Sequence, residues 1–212
     1  MRILIMTAVA AERDAVLRGL NNDQRFDVVA GGVGPVAAAI TTTKILTAQH
    51  YDLVISAGIG GGFQNRAEVG SIVVATEIIA ADLGAESSDG FSSIEQLGFG
   101  TSRISVDNEL VKKVAKALDQ ADLSTYTGPI LTLSTVTGTS EKAEELAARI
   151  PGATVEAMEG FGVALAAKEM GIPTLEIRTI SNPVGPRNKA SWKIKEALSA
   201  LEKVSSVLTE VL

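Results

Sequence analysis

The chain has 212 residues, of which 46% are hydrophobic and 21% are charged, and its formal net charge is −6. This composition is typical of a globular protein with a large core, and it excludes a disordered or fibrous chain. The acidic balance and the scattered basic residues argue against a surface that binds nucleic-acid phosphates. The length favours one domain over residues 1–212.

The sequence contains no cysteine, which excludes disulfides, thiolate metal sites and cysteine nucleophiles. The N-terminal apolar run is too short for a signal peptide. No run approaches the roughly 20 apolar residues of a membrane span. We therefore expect a cytoplasmic protein with neither a membrane nor a nucleic-acid partner.

The first half of the chain alternates apolar strands with helices. Residues 2–8 form a continuous apolar run of strand length, and residues 10–20 follow with helical spacing. A second strand lies in "FDVVAGGVG", and Pro35 stands at a favourable first position of a second helix. Two further strands, in "YDLVISAGIGGGF" and "SIVVATEIIAAD", follow with no helix between them.

The second half begins with residues 83–101, where Ser, Gly and acidic residues predict an irregular loop or lid. Asp107 and Ser140 are candidate caps of two helices, and a third helix should end at Gly171. Strands are predicted in "GPILTLSTV", "ATVEAM" and "IPTLEIRTIS". A last amphipathic helix is expected from about Lys189, with one apolar stripe formed by Ile194, Leu198, Leu201, Val204 and Leu208.

This alternation predicts an α/β fold, a three-layer α/β/α sandwich around a central mixed, largely parallel sheet. Ligands of such sheets bind at the carboxyl ends of the strands. Two glycine clusters, "GGVG" and "GIGGG", fall there, and so does Asn182.

The glycine clusters alone do not identify a ligand. They could cradle a phosphate or simply form tight turns. The dinucleotide fingerprint requires glycines directly after the first strand, where "TAVAAERD" has none. His50 is the only histidine, which leaves little support for a transition-metal site or a Ser-His-Asp triad. We expect neither a cofactor nor a metal.

Six segments, taken in order over the whole chain, closely resemble the nucleoside phosphorylase/hydrolase superfamily, in the branch of methylthioadenosine/S-adenosylhomocysteine nucleosidase. They are "TAVAAE", "GGVGPVAAA", "SAGIGGG", "VGSIVVAT", "VEAMEG" and "RTISN". The resemblance implies a small nucleoside as substrate and a homo-oligomer, a dimer or larger. It also implies that Glu12 activates the attacking water and that Glu159, with Met158 before it, binds the ribose hydroxyls. Each acid alone would also suit a helix start.

The resemblance further assigns the water and purine sites to Gly61 and to the backbone around Val136 and Thr137. Asn182 stands where the adenine-cleaving members have an acid that helps to protonate the purine at N7. Two other departures, Ile59 and Ala157, also separate this chain from that pattern.

The chemistry of N-glycosidic cleavage explains the two glutamates. The ribose becomes oxocarbenium-like, so one carboxylate can stabilise the sugar while another orients water. A phosphorylase would instead need cations that hold phosphate. The loop after the first strand offers an anion, Glu12, which favours hydrolysis. Arg13 beside it is a cation that could hold phosphate, so phosphorolysis stays open as an alternative.

The amide of Asn182 bears on the choice of base. Adenine protonated at N7 presents two donors, which suit a carboxylate, whereas a 6-oxopurine presents an acceptor beside N7–H, which suits an amide. Asn182 therefore favours a 6-oxopurine as the leaving base, with hypoxanthine preferred over guanine. Asn cannot act as an acid, so solvent would deliver the proton.

The run "EIRTISNPVGPRNKASWKIKEAL" resembles the futalosine hydrolase family in particular. That resemblance implies hydrolysis of futalosine to dehypoxanthine futalosine and hypoxanthine in menaquinone biosynthesis. Arg187 or Lys189 would then meet an aromatic carboxylate on the 5′ substituent. The alternatives are a methylthioadenosine/S-adenosylhomocysteine nucleosidase, a purine nucleoside phosphorylase and a non-catalytic nucleoside sensor.

Overall fold

The structure is a computed structural model that describes residues 1–212. Ten strands and six α-helices follow one another along the chain. They are β1 Ile3–Thr7, α1 Ala10–Leu20, β2 Phe26–Ala30, α2 Pro35–Ala48, β3 Leu53–Gly62, β4 Ile72–Ala80, β5 Gly84–Ser87, β6 Gly90–Ser93, β7 Arg103–Ser105, α3 Asn108–Gln120, β8 Thr125–Thr132, α4 Ser140–Arg149, β9 Val155–Ala157, α5 Gly160–Glu169, β10 Thr174–Pro183 and α6 Ile194–Val211. None of the helices has the combination of length and apolar character that a membrane span needs.

Eight strands form one mixed sheet. β2, β1, β3 and β10 lie side by side in parallel, whereas β3 also pairs antiparallel with β9. β10 pairs antiparallel with β4, and β4, β8 and β9 continue in parallel. The path β3–β10–β4–β8–β9 therefore returns to β3, so that this part of the sheet is closed.

This closure corrects the prediction of a sandwich around a largely parallel sheet. The α/β class and the mixed sheet are confirmed, but three of the strand pairings in the main sheet are antiparallel. Two register shifts, between Ala75 and Glu77 and between Ile180 and Asn182, interrupt the regular pairing of the long strands β4 and β10. Hydrophobic periodicity shows where strands lie but not which strands pair.

The helices pack on both faces of β1, because its successive side chains point to opposite sides. Ile3 and Ile5 join the main core, which contains residues of α1 and α6. Leu4 and Met6 join a second cluster with residues of α2 and α5. A third cluster joins α4 to β8 through Leu146. β1 is therefore buried completely, and the chain leaves it directly at the candidate site.

Most helix ends agree with the sequence predictions. The Asp107 side chain caps α3 by accepting a 2.8 Å hydrogen bond from the Leu110 amide. α4 is capped by Thr139, which accepts from the Lys142 amide at 3.2 Å, so the assignment of the cap to Ser140 was wrong. Gly171, with a φ of 68°, lies directly beyond α5 as expected.

The start of the last helix also differs from the prediction. Residues 189–191 form a short 3₁₀ turn, and α6 begins only at Ile194. Ile194 is 41% exposed, whereas Leu201, Val204 and Leu208 are buried in the main core. The apolar stripe therefore begins one turn later than its pattern suggested, with Leu198 packed at its edge.

Residues 83–101 contain regular structure where we predicted an irregular loop. β5 and β6 form an antiparallel hairpin in which Ser87 pairs with Gly90. The Arg149 guanidinium of α4 stacks over the Phe91 ring, 4.0 Å from its centroid, and fastens the hairpin to the body of the protein. None of these residues lines the cavity described below.

Candidate active site

A cavity of about 220 Å³ opens where β1, β3, β9 and β10 end. The cavity brings together side chains and backbone that are far apart in the sequence. Six of the seven residues assigned to the site from the sequence line it, namely Glu12, Gly61, Val136, Met158, Glu159 and Asn182. The seventh, Thr137, is not among the lining residues, but its amide donates a hydrogen bond to Glu156, which does line the cavity.

Glu12 lies in the first turn of α1 and is only 4% exposed. Its Oε2 accepts hydrogen bonds from the amides of Ala8 at 2.9 Å and Val9 at 3.3 Å. Its Oε1 accepts from the Ile59 amide at 2.9 Å, which ties α1 to β3. Three amide donors and the N-terminus of α1 hold the carboxylate in one orientation, so Glu12 is a fixed hydrogen-bond acceptor in the cavity wall.

Gly58 allows Glu12 to approach β3. A Cβ at this position would lie 2.6 Å from Glu12 Oε1 and 2.7 Å from Arg178 Nη1. Both distances are shorter than a van der Waals contact, so a side chain would displace one of these groups. The glycine cluster in the last half of β3 therefore makes room for charged side chains.

Glu159 immediately precedes α5 and is also buried. Its Oε1 accepts a hydrogen bond from the Gly34 amide at 3.2 Å, at the N-terminus of α2. Its Oε2 lies 3.3 Å from Nη1 of Arg178. Gly34 has a φ of 91°, a backbone conformation that glycine adopts readily, and so the "GGVG" turn serves to hold this carboxylate.

Arg178 is a site residue that the sequence analysis missed. Its guanidinium is 1% exposed and donates from Nε to Glu176 Oε1 at 2.9 Å and from Nη2 to Ser56 Oγ at 3.1 Å. Two charged residues two positions apart in an otherwise apolar strand lie on the same face of that strand. This spacing in "LEIRTI" was the signal that could have revealed a buried ion pair.

Three carboxylates surround this one guanidinium. Burial alone would lower the pKa of Arg178, but Glu176, Glu159 and Glu12 outweigh it and raise the pKa above its ordinary value. Burial raises the pKa of Glu176, and the Arg178 charge opposes that rise. The guanidinium therefore stays charged and holds the acidic group together.

Asn182 stands at the end of β10 and is 8% exposed. Its Oδ1 accepts a hydrogen bond from the Ser181 hydroxyl at 2.8 Å, and its Nδ2 donates to the Pro183 carbonyl at 3.0 Å. A Cβ at Gly61 would lie 3.2 Å from Nδ2, so the amide lies directly against the glycine strand. The amide can donate and accept toward the cavity from a defined position.

Glu156 is the second residue that the sequence analysis missed. It is 5% exposed, its Oε1 accepts from the Thr137 amide at 2.8 Å, and its Oε2 has no hydrogen-bond partner. Burial raises the pKa of this carboxyl, while the bond from Thr137 opposes the rise. An acid within the apolar strand "ATVEAM" was the available signal.

The sequence analysis considered three basic residues as possible substrate contacts, and each has a defined position in the structure. Arg13 pairs with Asp14 at 2.8 Å and does not line the cavity. Arg187 lies over the ring of Trp192, 5.6 Å from its centroid, and Trp192 lines the cavity. Lys189 is exposed in the 3₁₀ turn.

Comparison with known proteins assigns this chain to a class. Residues 10–212 match the family model described as the phosphorylase superfamily. A futalosine hydrolase of Streptomyces coelicolor is 48% identical, and the alignment covers 100% of this chain and 97% of that protein. A futalosine hydrolase of Acidothermus cellulolyticus is 44% identical, and the alignment covers 97% of this chain and 89% of that protein.

Solved structures share the fold at low sequence identity. A native futalosine hydrolase of Helicobacter pylori superposes with a TM-score of 0.87 at 17% identity, covering 100% of this chain and 98% of the other. A methylthioadenosine/S-adenosylhomocysteine nucleosidase of Neisseria meningitidis gives a TM-score of 0.87 at 20% identity, covering 100% and 99%. The chain belongs to the phosphorylase superfamily and, within it, to the futalosine hydrolase family.

Proposed function

We propose that this chain hydrolyses the N-glycosidic bond of a 6-oxopurine nucleoside, converting futalosine and water to dehypoxanthine futalosine and hypoxanthine in menaquinone biosynthesis. The observation that carries the proposal is the full-length, 48% identity to a futalosine hydrolase. The amide of Asn182 in the cavity wall adds a chemical reason for a 6-oxopurine.

In this proposal Glu12 is the general base. It accepts a proton from water while the hydroxide equivalent bonds to the anomeric carbon and the bond from that carbon to the base breaks. The fixed carboxylate with its three amide donors supports this role, since a general base must be held within hydrogen-bond reach of the proton it removes. The electron pair of the broken bond leaves with the base, which takes up a proton from solvent.

Glu159 and Met158 would bind the ribose. Glu159 is anchored by the Gly34 amide and by Arg178, and a carboxylate near the sugar stabilises the positive charge that develops in the transition state. Gly61 and the segment Val136 and Thr137 would line the base. Gly61 and Val136 line the same cavity as Met158 and Glu159, and Thr137 bonds to Glu156 of its wall, which supports this division of roles.

Asn182 would pair with the edge of the base that carries O6 and N7. Its one donor and one acceptor match an acceptor next to N7–H, whereas an ionised Asp would face O6 with a lone pair. A buried unpaired polar group costs about 1–3 kcal/mol, enough to favour one base over the other by about 5-fold to 150-fold.

Hydrolysis is favoured over phosphorolysis by the charges around the cavity. The buried cation, Arg178, is already paired with Glu159 and Glu176, and Arg13 lies outside the cavity wall. A phosphate would therefore meet carboxylates without a free guanidinium to hold it. A non-catalytic sensor would not need the fixed base at Glu12.

A homo-oligomer, a dimer or larger, is part of the proposal. Val36 and Ile40 on α2 are 70% and 51% exposed, and Val33, at 56%, continues the same stripe to the cavity. An exposed apolar stripe of this kind is typical of a protein interface. Sedimentation velocity measures the oligomeric state, and a strictly monomeric protein would contradict the proposed homo-oligomer.

The single domain over residues 1–212 and the cytoplasmic location remain predictions from the sequence.

Futalosine hydrolysis tests the proposed function directly. The purified chain is incubated with futalosine in phosphate-free buffer and with added phosphate, and the products are separated chromatographically. We expect hypoxanthine at equal rates in both buffers and dehypoxanthine futalosine as the partner product. Release only with phosphate would make the chain a phosphorylase, and tight futalosine binding without release would make it a sensor.

A further inference from the structure

Glu176 is a completely buried acid for which the proposed mechanism has no role. It lies in strand β10, two residues before Arg178, so both side chains point to the same face of the strand. Neither residue lines the cavity that holds Glu12 and Glu159. Because a buried ion pair adds little net stability, this pair is better explained by what it positions than by how much it stabilises the fold.

Glu176 fixes the plane of the Arg178 guanidinium. Its Oε1 accepts a hydrogen bond from Nε at 2.9 Å, and Ser56 Oγ accepts one from Nη2 at 3.1 Å. The guanidinium is planar and its donors form a rigid fork, so two anchored nitrogens determine where the third one points. The third nitrogen, Nη1, lies 3.3 Å from Glu159 Oε2. Glu176 therefore sets the direction from which Arg178 meets Glu159.

The same Nη1 also lies beside Glu12. A Cβ at Gly58 would lie 2.7 Å from Nη1 and 2.6 Å from Glu12 Oε1, so both atoms lie against this one glycine. The Ile59 backbone connects them, because its carbonyl accepts from Nη1 at 3.4 Å and its amide donates to Glu12 Oε1 at 2.9 Å. A rotation of the guanidinium would therefore disturb both carboxylates of the site at once.

Gly160 makes the room that Glu176 occupies. A Cβ at Gly160 would overlap both carboxylate oxygens of Glu176, so no other residue fits there while Glu176 keeps its position. Gly160 directly follows Glu159 and begins helix α5, and Glu176 Oε2 has no hydrogen-bond partner there. Glu176 thus lies between Arg178 and the helix start next to Glu159.

We propose that Glu176 is a positioning residue for the hydrolysis: its Oε1 orients Arg178, which in turn aligns Glu159 with the sugar and Glu12 with the attacking water. What Glu176 supplies is a hydrogen-bond acceptor at one place, and a misplacement of about 1 Å can cost about a hundredfold in rate. Its charge is secondary, since Arg178 also has a counter-ion in Glu159. This inference rests on the proposed function, which gives Glu12 and Glu159 their roles.

Two variants separate the reach of this side chain from its charge. Glu176→Gln keeps the length and an oxygen for Nε of Arg178 but loses the charge, whereas Glu176→Asp keeps the charge and withdraws the oxygen by one methylene. Thr179→Val is the matched control, because it changes a buried residue of the same strand whose hydroxyl has no hydrogen-bond partner. Calorimetric titration with hypoxanthine counts the competent sites in each protein, and futalosine turnover then gives kcat per site.

We expect kcat per site to stay within about threefold of the wild type in Glu176→Gln and in the control, and to fall at least about tenfold in Glu176→Asp. The reverse order of the two variants would overturn the inference in favour of a role for the charge. Variants that lose hypoxanthine sites but keep the wild-type kcat per remaining site would overturn it in favour of a purely structural role. Failure of the wild-type protein to release hypoxanthine from futalosine would instead refute the proposed function.

Discussion

Arg178 and Glu159 form a buried ion pair, with Nη1 3.3 Å from Oε2, that joins strand β10 to the start of helix α5. The same guanidinium bonds to Glu176 and Ser56, so one side chain fixes groups on three elements that meet at the site. A buried charge that loses its partner is costly, whereas the intact pair contributes little net stability. The pair therefore has its main effect on the positions of the carboxylates.

Removing this cation should destabilise the protein strongly. Arg178→Met leaves Glu176 and Glu159 buried without their counter-charge, and we expect the free energy of unfolding to fall by about 3–5 kcal/mol. Urea unfolding measures the change. The control, Arg13→Met, alters a partly exposed arginine paired only with Asp14 and should change stability by less than about 0.5 kcal/mol. An Arg178→Met protein as stable as the wild type would disprove this account of the acidic cluster.

Glu12→Gln should separate chemistry from binding. The amide keeps the shape of the side chain but cannot accept a proton, so we expect kcat on futalosine to fall at least about a hundredfold while KM changes little. Steady-state kinetics measure both constants, with Asp14→Asn, an exposed position on the same helix, as the control. Proportional losses in kcat and in substrate binding would contradict the role of a general base.

Asn182→Asp should change the preferred base. An ionised carboxylate at this position favours the two donors of an N7-protonated adenine over the acceptor and donor of hypoxanthine. We expect the ratio of kcat/KM for futalosine to that for methylthioadenosine to decrease by about tenfold or more. Competition assays with both nucleosides measure the ratio, and an unchanged value would refute the argument from the amide.

The stability of the protein should depend on pH through Glu156. Burial raises the pKa of this carboxyl in the folded protein above its unfolded value. Its contribution to stability is therefore complete below the unfolded pKa and is lost as pH rises through the folded pKa. The side-chain amide of the Glu156→Gln variant does not titrate. The stability of this variant relative to that of the wild type should therefore increase from pH 4 to pH 8.

Thermal unfolding at several pH values measures this difference. Each kcal/mol corresponds to a shift of about 2–4 °C in Tm for a chain of this size. Glu169→Gln, at an exposed position, should track the wild type across the range. A difference between Glu156→Gln and the wild type that shrinks with rising pH would mean that the carboxyl gains, rather than loses, stability on ionisation in the fold.

Local patterns in the sequence predicted the six helices and seven of the ten strands, because strand length, helix spacing and caps such as Asp107 depend on nearby residues, but they missed the short strands β5, β6 and β7. The closed sheet was not predictable in this way. Its closure depends on the pairing of β3 with β9 and of β10 with β4, and no local pattern specifies which distant strands pair.

The site shows the same limit. The resemblance to a known family supplied Glu12, Glu159 and Asn182, which the fold brings to one cavity. Arg178 and Glu156 escaped notice because a charged residue in a buried strand becomes meaningful only when its neighbours in space are known. Their isolated positions in apolar strands were nevertheless readable signals.

The most direct test of the central claim is a comparison of purified protein acting on futalosine, inosine and methylthioadenosine in phosphate-free buffer, with kcat/KM measured from the free base released. The account predicts hypoxanthine from futalosine as the dominant reaction. Adenine released from methylthioadenosine with equal or greater kcat/KM would contradict it, because Asn182 and the cavity around it would then not select a 6-oxopurine.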